Sequence, residues 1–146
     1  NREYQSRLTI SETIVDRWPS GRGRYILGVE LLRVGRQADG MAELRASARD
    51  YPGARYALGT ELFGQGNLDA AIEELKGFVR ELPTHANAVA AHDQLGRAYT
   101  IQGRLGEAMQ EFNYVLAQPG YPLRAEVVSF VEQIMAAQRQ SVGGRR

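Results

Sequence analysis

The chain has 146 residues, 43% hydrophobic and 24% charged, with a formal net charge of +1 and no cysteine. That places it among ordinary globular sequences of one domain or one compact array, with no disulfide, thiolate metal site or cysteine nucleophile to invoke. The near-neutral balance argues against a nucleic-acid partner, and no run approaches the roughly 18 apolar residues of a membrane span.

The chain as given therefore reads as soluble, with the compartment open between cytoplasm and periplasm. Only Lys76 interrupts a set of 18 basic residues that are otherwise all arginine, which reads as codon usage rather than a binding surface.

The first predicted element is a capping helix within residues 1–19. Residues 3–17 space Leu8, Ile14 and Val15 as an amphipathic helix that stops before Pro19. The opening NREYQSRLTI carries no methionine, which leads us to expect a segment cut from something longer.

Residues 20–52, 53–83 and 84–121 then repeat one phrase. Leu-Gly pairs place glycine at positions 28, 59 and 96, which are 31 and 37 residues apart. Seven residues beyond each comes another glycine (Gly35, Gly66, Gly103), and twelve beyond comes a small residue (Gly40, Ala71, Ala108). Sixteen beyond comes Leu44, Leu75 or Phe112, while Pro52 and Pro83 follow their own glycine by 24. Each unit reads as helix, tight turn, helix, stop.

The middle unit shows the physics. Leu58 and Leu62 recur at helical spacing, so one stripe of the first helix can be buried. Gly66 ends that helix, because glycine adopts the left-handed conformation without a side-chain clash. Ala71, Leu75 and Phe78 present one face of the second helix, and the small residues Gly59 and Ala71 allow close approach. Two such helices cannot bury their apolar faces alone, so consecutive pairs must stack.

The final elements are a capping helix over 122–140, opening with Pro122 and setting Val127, Val128, Val131, Ile134 and Met135 along one side, and a tail, 141–146, expected to be disordered.

Candidate chemistry is thin. GRGRYILG, from Gly21, has the glycines of a phosphate loop but neither a preceding strand nor a P-loop lysine, and reads as a turn between helices. His85 and His92 lack a third ligand of suitable spacing, so they read as surface or groove histidines. Glu73 and Glu74 point in different directions and read as a solvated face. No catalytic residue, metal site or cofactor is predicted, and an enzyme is not expected.

The three units resemble tetratricopeptide (TPR) repeats, in which Leu-Gly, tyrosine, alanine, phenylalanine and proline recur over 34 residues. The third unit carries the pattern in Leu95, Gly96, Tyr99, Ala108, Phe112 and Val115, and the likeness covers roughly residues 20–120. Gly40 departs from the usual alanine. The segment from proline to Leu-Gly glycine is 7 residues before Gly59 and 13 before Gly96, which puts a deletion and an insertion at the starts of two first helices.

The resemblance implies an all-α, right-handed TPR solenoid of antiparallel helix pairs, capped at both ends, that binds a protein or peptide in a concave groove. It assigns the lining to Arg22, Tyr25, Val29, Leu32 and Arg33 in the first repeat. In the second it assigns Tyr56, Thr60 and Phe63, and in the third Asp93, Arg97, Thr100 and Ile101. The alternative for Tyr25 and Tyr56 is packing between helices. Tyr25, Val29 and Ala90 stand where chaperone-binding TPR domains place the lysine, asparagine and lysine of their carboxylate clamp, so that ligand class is disfavoured.

Residues 1–19, through Tyr4, Ile14, Val15, Trp18 and Pro19, are also similar to the junction between membrane spans and TPR segment in bacterial polytopic TMTC-like proteins. That likeness implies an extracytoplasmic appendage of a glycosyltransferase-like protein, periplasmic and tethered by upstream spans. A self-association module, forming a homo-oligomer, is a further alternative.

Overall fold

The computed structural model describes residues 2–144. These form eight helices and no strand: α1 (Arg2–Arg17), α2 (Gly21–Arg33), α3 (Gln37–Ser47), α4 (Ala54–Gly64), α5 (Leu68–Glu81), α6 (Ala88–Ile101), α7 (Leu105–Leu116) and α8 (Arg124–Gly143). The chain is all-α, as the repeat pattern implies. Residues 141–143, expected to be disordered, continue α8. The first residue of the expected N-terminal cap and the last two of the tail lie outside the described residues.

Two compact units divide the chain, Asn1–Thr84 and His85–Arg146. In the first, α2 with α3 and α4 with α5 form antiparallel pairs, α1 packs on α2, and α4 packs on both α3 and α2. In the second, α6 and α7 form the pair and α8 packs on α7.

The same turn closes all three first helices. Gly35, Gly66 and Gly103 have φ of 82°, 76° and 73°, the positive-φ residues among those described. The glycine N–H returns three residues, to Leu32, Phe63 or Thr100, and the next N–H returns five, to Leu31, Leu62 or Tyr99. This paired return satisfies carbonyls that the helix end leaves open and reverses the chain within three residues. In the third turn the Arg104 guanidinium lies 4.6 Å from the Tyr99 ring centroid, adding a contact across the motif.

Each pair's core follows from the repeat. Leu58, Leu62, Ala71, Leu75 and Phe78 are buried in the second repeat, and Leu95, Ala108, Phe112 and Val115 in the third. A Cβ on Gly59 would come within 2.8 Å of Leu75 Cγ, so the bare glycine lets α4 lie against α5. Gly40 is explained the same way: a Cβ there would lie 2.8 Å from Leu32 Cγ and 2.9 Å from the Gly28 carbonyl.

Three local expectations are corrected. GRGRYILG forms the first turns of α2 rather than a turn between helices; Ser20 caps it, its Oγ accepting from the Gly23 N–H at 3.0 Å. On α1 the buried face is Leu8, Ser11 and Val15, and Ile14 is exposed. On α8, Val127, Val131 and Ile134 are buried while Met135 is exposed. The short spacing before Gly59 leaves α4 only 11 residues, against 13 in α2 and 14 in α6.

Candidate partner-binding surfaces

In the N-terminal unit the predicted lining splits between exposed and packed residues. Arg22 is exposed, and Arg33 is exposed with its Nη1 3.3 Å from Glu30. Tyr25, Val29, Leu32 and Phe63 are half-buried against a cluster that includes Met41, Leu44, Leu58 and Leu62. The Tyr25 ring lies 5.5 Å from that of Tyr51, and the Tyr56 ring 5.3 Å from that of Phe78. Thr60 Oγ1 donates to the Tyr56 carbonyl at 2.9 Å. Both tyrosines thus join helix packing to a partly exposed surface.

Glu30 is buried on α2, with Arg7 of α1 at 3.2 Å and Arg33 at 3.3 Å on one oxygen, while its other oxygen has no hydrogen-bond partner. Burying a carboxylate is tolerated when cations offset the lost hydration. The two guanidiniums, each about half exposed, keep their own water while doing so.

In the C-terminal unit two of the predicted residues are committed within the chain. Asp93 is buried; it accepts from Arg97 Nε at 2.8 Å and from the Tyr121 hydroxyl at 2.8 Å, which ties α6 to the loop before α8. Arg97 also reaches Glu126 at 3.5 Å and lies 5.7 Å from the Phe130 ring centroid. The hydrogen bond to Asp93 raises the Arg97 pKa, against the opposing pull of partial burial. Arg97 is therefore a fixed cation already held by two carboxylates.

The other two face open space. Ile101 is exposed. Thr100, its hydroxyl bonded to the Gly96 carbonyl at 2.8 Å, lines a cavity of about 290 Å³ with Leu105, Phe130, Gln133, Ile134 and Ala137. Sequence reasoning missed the α8 contribution because it treated that helix only as a cap. The signal was present: Phe130, Gln133, Ile134 and Ala137 follow helical spacing.

A second pattern also escaped the sequence reading. Arg24 pairs with Glu43 at 3.0 Å, Arg55 with Glu74 at 3.2 Å, and His92 Nδ1 with Glu111. In every repeat the basic residue stands four before the Leu-Gly glycine and the glutamate fifteen after it, linking first helix to second. Glu74, expected on a solvated face, is part of this link. Arg55 Nε also comes within 3.2 Å of Glu81, off the line of a hydrogen bond. His92 stacks 3.9 Å from the Tyr114 ring, and His85 lies ahead of α6 with Nδ1 accepting from the Asn87 N–H at 3.0 Å. The two histidines have separate partners, and no group of three metal-ligating side chains occurs among the described residues.

Comparison with known proteins agrees with this geometry. A tetratricopeptide repeat family model matches residues 56–122. No curated protein matches the chain. Among solved structures, a MamA structure (AMB-1) superposes with a TM-score of 0.75 at 19% identity, covering 97% of this chain and 78% of that one. Another MamA structure gives 0.69 at 17% identity, covering 96% and 91%. YrrB, described as a TPR protein with an unusual peptide-binding site, gives 0.71 at 19% identity, covering 88% and 67%. At these identities the likeness concerns the fold. Residues 56–122 thus match the tetratricopeptide repeat family, and the helices on either side of that stretch share the fold of the solved structures.

Proposed function

We propose that the chain is a protein- or peptide-binding scaffold whose C-terminal unit takes an apolar side chain of its partner into the cavity between α6, α7 and α8. The observation that carries this reading is the cavity itself: about 290 Å³, lined by Thr100, Leu105, Phe130, Gln133, Ile134 and Ala137. Small concave apolar sites with a few polar groups at the rim are where ligand side chains gain most from burial. Thr100 spends its hydroxyl on the Gly96 carbonyl, so its methyl is left to contact an apolar ligand. In the N-terminal unit, Arg22, Arg33 and the accessible parts of Tyr25, Val29 and Phe63 are proposed to contribute polar and aromatic contacts. YrrB, with its peptide-binding site, supplies a structural parallel.

Such a surface needs little reordering, because its side chains stand on helices already packed, and the ordering cost of binding is correspondingly small. The test is affinity capture with the native chain and with Ala137→Trp, which fills the cavity from an exposed position. A captured partner should be lost with the variant while helical content and melting temperature stay unchanged. Equal capture by both proteins would refute the cavity as the contact site.

A further inference from the structure

Helix α1 carries two apolar stripes, and α2 uses only one. Leu8, Ser11 and Val15 are buried. Ile10, Ile14 and Trp18, spaced by four, form a second ridge in which the side chains are 60%, 44% and 66% exposed. The Trp18 N–H bonds the Ile14 carbonyl at 2.8 Å, so the helical geometry carries through to the tryptophan. At about 100° per residue the ridge stands roughly a quarter turn from the buried stripe.

Toward the Trp18 end of the ridge the charges are sorted by side. Arg17 and Arg22 bracket Trp18 in the sequence RWPSGR, both exposed and neither in an ion pair with another described residue. Arg7 falls within the arc of the ridge about one turn before Ile10, half exposed while holding Glu30. Glu12 and Asp16 lie on the far side of the helix by the same angular count, while Glu3 falls on the line of the ridge about two turns before Ile10, at the end away from Trp18. An apolar edge with a terminal tryptophan and arginines beside it matches a lipid interface, where apolar side chains enter the headgroup boundary and cations meet lipid phosphate.

A protein partner fits less well. Ile10, Ile14 and Trp18 stand on a convex helix edge and line none of the cavities described above; a rigid partner would need a matching trough, whereas a bilayer surface deforms around the ridge. No helix among the described residues is long and apolar enough to cross a membrane, so the contact is with the surface. We infer that Ile10, Ile14 and Trp18, with Arg17 and Arg22, form a peripheral docking ridge for an anionic lipid surface.

The chain supplies its own probe, since Trp18 is its single tryptophan. The experiment titrates the 146-residue chain with phosphatidylcholine vesicles with and without phosphatidylglycerol, following Trp18 emission and vesicle flotation. The expected result is a blue shift and co-flotation with anionic vesicles, weakening as salt is raised. Arg17→Gln and Arg22→Gln should each lower the partition about fivefold. Ile10→Ser, at the exposed middle of the ridge, should weaken flotation with unchanged circular dichroism. Absence of any shift with anionic vesicles, or equal binding to phosphatidylcholine alone, would overturn the proposal. A blue shift that follows protein concentration without lipid, with a doubled mass in sedimentation, would also overturn it, in favour of a second copy covering the ridge.

Discussion

Replacing Gly96 by alanine tests whether bare glycine is what allows α6 and α7 to meet. A Cβ on Gly96 would lie 2.5 Å from Phe112 Cε1, 2.7 Å from Cδ1 and 2.9 Å from Cζ. Carbon contacts are comfortable near ~3.5–4.0 Å, so the ring must retreat by about 1 Å. It has little room, because Phe112 is fully buried and its other neighbours include Phe130, with ring centroids 5.9 Å apart. Overpacking of this kind costs about 1–3 kcal/mol, while alanine in a helix interior returns roughly 1 kcal/mol relative to glycine. With a contact this short we expect the upper end of the range and a net loss of about 2 kcal/mol.

Gly106→Ala is the internal control, since Gly106 is on α7 with nothing within 4 Å of its Cβ direction. It should gain up to about 1 kcal/mol. Urea denaturation followed by circular dichroism, with slopes compared to detect separate unfolding of the two units, gives both numbers. Phe112→Leu in the Gly96→Ala background should recover part of the loss, because it removes the ring that the new methyl meets. If Gly96→Ala is as stable as the native chain while Gly106→Ala gains, the close-approach argument fails.

The other predictions concern the turns, the linking pairs and the buried aspartate. Gly66→Ala, at φ of 76°, should lower stability by about 1–2 kcal/mol, read from the melting temperature, with Gly66→Asn losing less; equal melting of all three would refute the turn assignment. A double-mutant cycle on Arg24→Gln and Glu43→Gln should return a coupling of about 0.5–1 kcal/mol, since both side chains are mostly shielded; zero coupling would make the recurring pair a sequence coincidence. Asp93→Asn should cost about 1–3 kcal/mol in urea denaturation, by leaving buried hydrogen bonds to Arg97 and Tyr121 poorly matched. Because the hydrogen bond to Asp93 raises Arg97 above an already strongly alkaline value, the Arg97 contribution is fully present below the unfolded value and lost only as pH rises through the raised one. Arg97→Gln should therefore leave the shape of the stability profile between neutral and mildly alkaline pH unchanged, and a new step there would refute this.

How much of the fold was legible follows from the range of the interactions involved. The period of Leu-Gly pairs, the turn glycines and the apolar stripes are local signals, because helix geometry places i, i+3 and i+4 on one face and because few residues other than glycine accept a positive φ. Leu58, Leu62, Ala71, Leu75 and Phe78 are accordingly buried where the pattern puts them, and Gly35, Gly66 and Gly103 carry the left-handed turns. The spacing from Arg24, Arg55 and His92 to a glutamate was equally periodic in the sequence, but became recognisable as a link only once the two helices of each pair were seen side by side.

The sequence by itself therefore determined the all-α class, the helix-turn-helix period and most of the buried face, since each depends on residues within one or two turns of one another. Tertiary structure decided the rest. Ser11 rather than Ile14 faces α2, because two apolar stripes on α1 compete and only packing chooses between them. Asp93 is committed to Tyr121, 28 residues away, and Thr100 shares a cavity with Phe130 and Ala137 of α8. Contacts of that range arise from how the chain folds back on itself, which a local period cannot encode.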